Sequence, residues 1–338
     1  MPVKAIVVGA GGISNAWIPP LLEEKVEISA IIDINLQTAE ARIVQYNLGA
    51  EASTDMKAMI RKYKPDFIVD CTIPEAHCPV TCVALKAGCH VIGEKPLASS
   101  MAEARKMVRT SEETGMLYMV SQSRRWDNPH EGIRQTIASG EIGDITTVNC
   151  DFFLAAHFGG FRDEMPSPLI LDMSIHHFDL MRYITGADPV AVYAMEFNPK
   201  GSWYKGDVSA SCIFEMSNGI VFTYRGSWCS EGCHTSWQGN WRFIGNKGTM
   251  LYENDQKPHG QVVVNDAGFN REFRDAQIIN ADRTLLNGMH GALKEMLEFL
   301  KTGKKPQTEC HDNIKSLAMV FSVIESSRKG RRILIRAL

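Results

Sequence analysis

The sequence predicts a two-part α/β protein: a doubly wound parallel sheet first, then an α+β region built on a large, open-faced, mainly antiparallel sheet. Three observations carry this. Short apolar runs alternate with helix-length segments through the first third of the chain. A glycine-rich turn, Gly9-Ala10-Gly11-Gly12-Ile13-Ser14, directly follows the first run. Beyond about residue 125 apolar residues alternate singly with polar ones, as in strands with one solvated face. A chain of 338 residues is also long for a single core. The expected division is 1–124 and 125–338, with C-terminal helices free to pack back on the first part.

In order, Ala5–Val8, Ile28–Ile32, Phe67–Cys71, Val91–Gly93 and Leu117–Ser121 read as strands buried on both faces. Between them, a helix is expected from Ile13, kinked or restarted at Pro19-Pro20. Leu36–Tyr46 follows with Asn35 as cap, and Glu75–Ala87 is closed by Gly88. Ala102–Thr114 stops at Gly115, and Ser100 and Glu103 are spaced as a capping box. After 125, Pro129–Ser139 looks helical and Thr146–Leu154 extended. His157–Pro168 reads as a loop, and 169–186 as a helix ended by Gly186. Asp207–Met216 and Ile220–Trp228 flank Ser217-Asn218-Gly219, a strong hairpin signal. Helices return at Gly291–Lys301 and Asn313–Lys329.

Hydrophobic residues make up 44% and charged residues 22% of the chain, ordinary for a soluble globular protein. A net charge of −3 gives no electrostatic case for nucleic acid or an anionic membrane. No apolar run is long enough to span a bilayer, and the N-terminus reads as a first strand rather than a signal peptide. With nine cysteines in no regular framework, reduced thiols in the cytoplasm are expected. Cys78 and Cys82, and Cys229 and Cys233, lie near His77, His90 and His234. They lack the paired short spacers of structural zinc, so no metal site is assigned.

The glycine turn carries the first chemistry. Gly9 suits the tight turn, and Gly11 lets a pyrophosphate approach the backbone at a helix N-terminus, with Gly12 and Ile13 opening that helix. Ser14 stands where the usual third glycine packs helix against strand. Asp33, at the end of the second strand, is placed to accept both ribose hydroxyls of NAD and to repel the extra phosphate of NADP. No arginine stands beside it in sequence, so NAD is favoured. Asp172 and His176 are four apart, which puts them on one face of a helix. An imidazole there can take a hydroxyl proton near neutral pH.

Gly9–Ser14, Asp33, Thr72-Ile73-Pro74 with His77, Glu94-Lys95-Pro96 and Asp172–Asp179 together resemble the Gfo/Idh/MocA oxidoreductase family. The resemblance runs from residue 3 to about 330. It implies a Rossmann domain, an open-faced second domain whose sheet builds homodimers or homotetramers, and hydride transfer between a nicotinamide cofactor and a sugar, inositol or related polyol. It also implies that Thr72, Ile73, Pro74, His77, Glu94 and Lys95 attend the cofactor. Lys95, Asp172 and His176 would be catalytic and touch substrate. Lys95 would stabilise developing charge and move protons, and a cis peptide before Pro96 is plausible. Arg125 and Arg162 are expected at the substrate, Arg124 beside them, and His177 and Asp179 in structural roles. A metal on Asp172, His176 and His177 would need ligands from elsewhere. Trp203, Trp228, Trp237 and Trp241 suggest sugar stacking, although core aromatics are commoner. A redox-neutral NAD-dependent lyase or glycosidase, and a non-catalytic dinucleotide- or sugar-binding regulator, are the alternative functions.

Overall fold

A computed structural model describes residues 2–265, 271–281 and 288–338. The chain divides into two units. Unit 1 comprises Met1–Ser123, Leu285–Leu317 and Ala337–Leu338; unit 2 comprises Arg124–Thr284 and Ala318–Arg336.

In unit 1 the elements run β1 Lys4–Val8, α1 Ser14–Glu23, β2 Glu27–Ile32, α2 Leu36–Tyr46, β3 Glu51–Ser53 and α3 Met56–Tyr63. They continue with β4 Phe67–Asp70, α4 Pro74–Lys86, β5 His90–Gly93, α5 Met101–Thr114 and β6 Tyr118–Val120. The sheet is parallel with order β3-β2-β1-β4-β5-β6, so the strand order reverses between β1 and β4. Ligands of such sheets collect beyond the carboxyl ends of the strands at that reversal.

Local chemistry explains the element ends. The Asn35 side chain accepts from Gln37 N at 3.0 Å, and that of Asp55 from Ala58 N at 2.9 Å. Ser100 Oγ accepts from Glu103 N, but the Glu103 carboxylate turns to Ser99, so only half of the anticipated capping box forms. The expected break at Pro19-Pro20 is absent: α1 runs through both. Proline removes the amides that would bond the carbonyls one turn back. One of those carbonyls, Asn15 O, lies 3.5 Å from the Tyr46 hydroxyl, which can donate to it.

Unit 2 begins with a 3₁₀ turn, Ser123–Trp126, whose first residue belongs to unit 1, followed by α6 Asn128–Ala138, β7 Ile145–Phe153 and the short α7 Phe161–Glu164. A π-helical turn, Leu169–Ser174, then leads into α8 Ile175–Thr185. Next come β8 Pro189–Phe197, β9 Ser209–Met216, β10 Val221–Ser227, β11 Asn240–Gly245, β12 Gly248–Tyr252, β13 His259–Val263 and β14 Phe273–Asp275. The last elements are α9 Gly288–Thr302, in unit 1, α10 Cys310–Lys329, whose residues are shared between the units, and β15 Ile333–Leu334.

The second sheet has nine strands, ordered β14-β13-β12-β11-β7-β10-β9-β8-β15. It is antiparallel except where β7 and β10 pair in parallel. β9 and β10 form the anticipated hairpin, with Gly219 at φ +80° in its turn. Val208, Ala210, Cys212, Phe214 and Met216 point inward from β9 and its entry, and Ile220, Phe222 and Tyr224 from the opposite arm. Burying a side chain such as Phe214 is worth about 1.5–3 kcal/mol. All nine cysteines are free thiols, seven of them buried. No described helix is long and apolar enough to cross a membrane.

One inward residue of β8 is a carboxylic acid. Burial pushes the Glu196 carboxyl up to about 7; the Ser167 hydroxyl opposes the shift and the Asp207 charge adds to it. The folded state therefore binds the proton more tightly than the unfolded chain. Glu196 favours folding below its unfolded value near 4.5, and that contribution is lost as pH rises through about 7. In chemical denaturation, wild-type protein should lose on the order of 3 kcal/mol more than Glu196→Gln between pH 5 and 8. Parallel pH profiles for the two proteins would contradict this.

Candidate functional site

The end of β1 is packed so closely that only glycine fits. Gly9 has φ +93°, and a Cβ there would lie 2.6 Å from Cys71 O, beyond the end of β4. By contrast, among the described residues nothing lies within 4 Å of where a Cβ on Gly11 or Gly12 would stand. α1 starts at Ser14, with Ile13 at its N-cap and no capping side-chain hydrogen bond. Its first amides turn back on the loop, Ser14 N donating to Gly11 O and Asn15 N to Gly12 O, both at 3.2 Å, so the positive end of the helix lies directly behind the glycine backbone. An open glycine backbone leading to an uncapped helix N-terminus fits a pyrophosphate.

Ser14 is wholly buried, and its hydroxyl donates to Gly11 O at 2.7 Å. As part of the Gly9–Ser14 turn it is a candidate cofactor-site residue through its backbone, while its side chain braces the loop from behind. Asp33 is pinned beside the same loop, Oδ2 accepting from Ala10 N at 2.8 Å and Oδ1 from Asn35 N at 2.9 Å. Sequence reasoning missed Arg42. It sits nine residues beyond Asp33, on the face of α2 that meets the loop. Its Nη2 donates to Ala10 O at 2.9 Å and Gly11 O at 3.2 Å, and its Nη1 to Asn15 and Gln45. Only the turn between β2 and α2 brings it there.

Asp70, at the end of β4, is fully buried. Its carboxylate accepts from Thr72 N at 3.0 Å and from the Thr72 hydroxyl, and His77 Nδ1 lies 3.1 Å from it. His77 was expected at the cofactor; it is 1% exposed and held from within the unit. Ile73, 65% exposed, and Pro74, the first residue of α4, form the outer part of this segment. Glu94 N donates to Asp70 O at 2.9 Å, tying the Glu-Lys-Pro segment to the same point. The Glu94 side chain is buried and accepts from Trp17 Nε1 at 2.7 Å and Lys95 N at 3.3 Å. Burial raises its carboxyl above the ordinary range, opposed by Trp17 and by the Lys95 charge. Glu94 thus orients the segment, and Lys95 is half-buried at its end. The Lys95–Pro96 peptide is cis.

In unit 2 the single helix expected over 169–186 is two. Asp172 lies in the π turn, where Ser174 Oγ donates to Leu169 O at 3.1 Å. Such turns are rare and frequent at functional sites. His176 sits just past the junction with α8 and is half-buried. Arg162 Nε donates to Asp172 Oδ2 at 2.7 Å, so two expected substrate residues meet, both partly exposed. The loop bearing Arg162 is fastened by Lys205 N to Asp163 O and Asp207 N to Pro166 O.

Arg125 needs correcting. It was expected at the substrate, but it is 4% exposed, and its Nε and Nη2 both bind the buried Asp179, at 2.7 and 2.6 Å. Such a bidentate pair commits the guanidinium to structure. Its neighbour Arg124 lies 3.1 Å from His177 Nε2. Burial, reinforced by the Arg124 charge, holds the His177 imidazole well below its usual range. His177 is therefore a neutral acceptor toward Arg124, and it and Asp179 are both buried. Trp228 and Trp241 are core residues at 1% exposure.

The strand order and open glycine turn define a dinucleotide-binding α/β protein. Comparison with known proteins names the class further. Residues 3–122 match the family described as oxidoreductases with an NAD-binding Rossmann fold, and residues 130–251 match the GFO/IDH/MocA C-terminal domain. The chain belongs to the Gfo/Idh/MocA oxidoreductase family. A 1,5-anhydro-D-fructose reductase of Ensifer adhaerens is 24% identical over 96% of each chain. An oxidoreductase from Agrobacterium radiobacter, solved with NAD+, L-tartaric acid and magnesium, has a TM-score of 0.85 at 22% identity, over 99% of this chain and 98% of its own. For the myo-inositol 2-dehydrogenase of Lactobacillus plantarum the TM-score is 0.80 at 21% identity, over 99% and 100%.

Gly9→Ala forces a Cβ against backbone at a positive φ, which costs about 2 kcal/mol or more. Its melting temperature should fall by several degrees, while that of Gly12→Ala, which meets open space, should move less. Equal melting temperatures would refute the close-packing argument.

Proposed function

We propose that the protein is an NAD-preferring dehydrogenase that exchanges a hydride between the nicotinamide and a hydroxyl-bearing carbon of a sugar, inositol or related polyol. The observation that carries the reading is the half-buried His176 next to a π turn bearing Asp172, itself aligned by Arg162. When bound, the nicotinamide accepts or donates the hydride. His176 takes the hydroxyl proton on oxidation and returns it on reduction. Asp172 and Arg162 hydrogen-bond and orient substrate hydroxyls. Lys95, its backbone fixed by Glu94, stabilises negative charge on the substrate oxygen. The sugar and inositol activities named for relatives support this substrate class.

Preference for NAD rests on Asp33, whose carboxylate suits ribose hydroxyls and repels a 2′-phosphate. Arg42 is the cation that would favour the phosphate, but both its Nη atoms already donate within the loop and α2. The test is a panel of inositols, aldoses and aldonates with each cofactor, following reduced cofactor by absorbance. NAD should give at least ten-fold higher kcat/KM than NADP, with net NADH formation. His176→Asn should lower kcat by roughly 10²–10⁴-fold, and Lys95→Ala should also be severely impaired. Either variant turning over at the wild-type rate would overturn the assignment.

The same reading includes a homo-oligomer formed through the second sheet. Tyr193, Met195 and Phe197 on β8 and Ile213 on β9 are 41–57% exposed on one outer face. Contiguous apolar surface of this kind marks an interface. Light scattering should show a dimer or tetramer at micromolar concentration, and the double variant Met195→Glu/Ile213→Glu should shift it to smaller species. A monomeric wild type would remove this part of the proposal.

A further inference from the structure

The segment carrying Arg162 and the connection between β10 and β11 bring together aromatic rings that neither the core nor the proposed chemistry uses. Phe158 is 44%, Phe161 66% and Trp237 47% exposed. Phe158 and Trp237 have ring centroids 6.1 Å apart at an interplanar angle of 50°. Phe158 is backed by Trp228 at 5.1 Å, and Trp237 by Phe152 at 6.1 Å. These are exposed rings on buried rings, so their orientation is set by the core beneath.

The cluster is continuous with the candidate substrate residues. The Arg162 guanidinium carbon lies 4.9 Å from the centroid of Phe158 and 4.7 Å from that of Phe161. The same side chain donates to Asp172 at 2.7 Å. One arginine therefore joins the proposed substrate carboxylate to an exposed aromatic shelf, all within unit 2. Beside the shelf, His157 stacks on Trp203 at 3.7 Å and pairs with Glu231 at 2.9 Å, which adds polar groups.

Leaving large rings in water is unfavourable, and grouped exposed apolar surface marks a binding site. A pyranose ring matches this surface: its C–H face lies on an aromatic ring while its rim hydroxyls find polar neighbours. A ring reacting at Asp172 and His176 leaves Phe158 and Trp237 to a second unit. We infer that the substrate is a glycoside or oligosaccharide, with one ring held by Arg162, Asp172 and His176 and a second pyranose ring stacked on Phe158 and Trp237. This rests on the dehydrogenase reading above.

The experiment compares kcat/KM for cellobiose, maltose and the methyl D-glucopyranosides with that for D-glucose and myo-inositol. Wild type should prefer at least one disaccharide over its monosaccharide by ten-fold or more. Phe158→Ala and Trp237→Ala should each cut that ratio at least five-fold, through KM rather than kcat, and Trp237→Phe should retain most of it. A wild-type ratio near one, or a ratio unchanged in both alanine variants, would overturn the inference while leaving the dehydrogenase standing. Absence of turnover on every sugar and polyol with either cofactor would instead defeat both together.

Discussion

Much of unit 1 depends on the buried carboxylate of Asp70. A charge without solvent must be met by donors, or it costs several kcal/mol. Thr72 and His77 supply those donors, and in doing so they fix the chain beyond β4. The Asp70 carbonyl also takes the Glu94 amide, so β5's exit is tied to the same residue. Cys71, next in sequence, presents the carbonyl that leaves room only for a glycine at position 9. The glycine turn, the Thr72–Pro74 segment and the Glu-Lys-Pro segment thus share one anchor.

Unit 2 uses the same device with different partners. Asp179 is buried and accepts at both oxygens from Arg125, while His177 faces Arg124 through Nε2. These pairs lie on α8 immediately after His176. With the helix anchored by its neighbours, His176 and Asp172 are left half-exposed at its start. In both units the groups that touch solvent owe their position to buried ion pairs or hydrogen bonds one to several residues away. Breaking one partner of such a pair strands the other, which is why these supports are as sensitive to substitution as the groups they hold.

What was legible in the sequence follows from the kind of information each feature needs. Strands buried on both faces announce themselves as apolar runs, so β1, β2, β4, β5 and β6 were readable. β3, Glu51–Ser53, is a short edge strand with nothing apolar to mark it. β9 and β10 were readable through Asn218-Gly219 and strict alternation, whereas β8 and β11–β14 were passed over. The family motifs pointed to Lys95, Asp172 and His176 as the candidates, but burial is invisible in one dimension. Arg124 and Arg125 are adjacent, yet one faces His177 and the other is consumed by Asp179. Arg42 and Trp17 acquire their partners only through the fold.

The π turn shows why spacing alone under-describes the second constellation. A helix read over 169–186 puts Asp172 and His176 one above the other, which is adequate for a single pair. The structure instead widens the turn that holds Asp172 and lets the Ser174 hydroxyl reach back to Leu169 O, while Tyr224 OH lies 3.0 Å from the same Oγ. A wider turn rotates the side chains before it relative to those after it. Asp172 can then face Arg162 while the α-helix beyond it keeps Phe178 and Met181 in the core. A regular helix would have to compromise one of these demands. The irregularity separates a residue that must meet polar partners from a helix that must bury its apolar face.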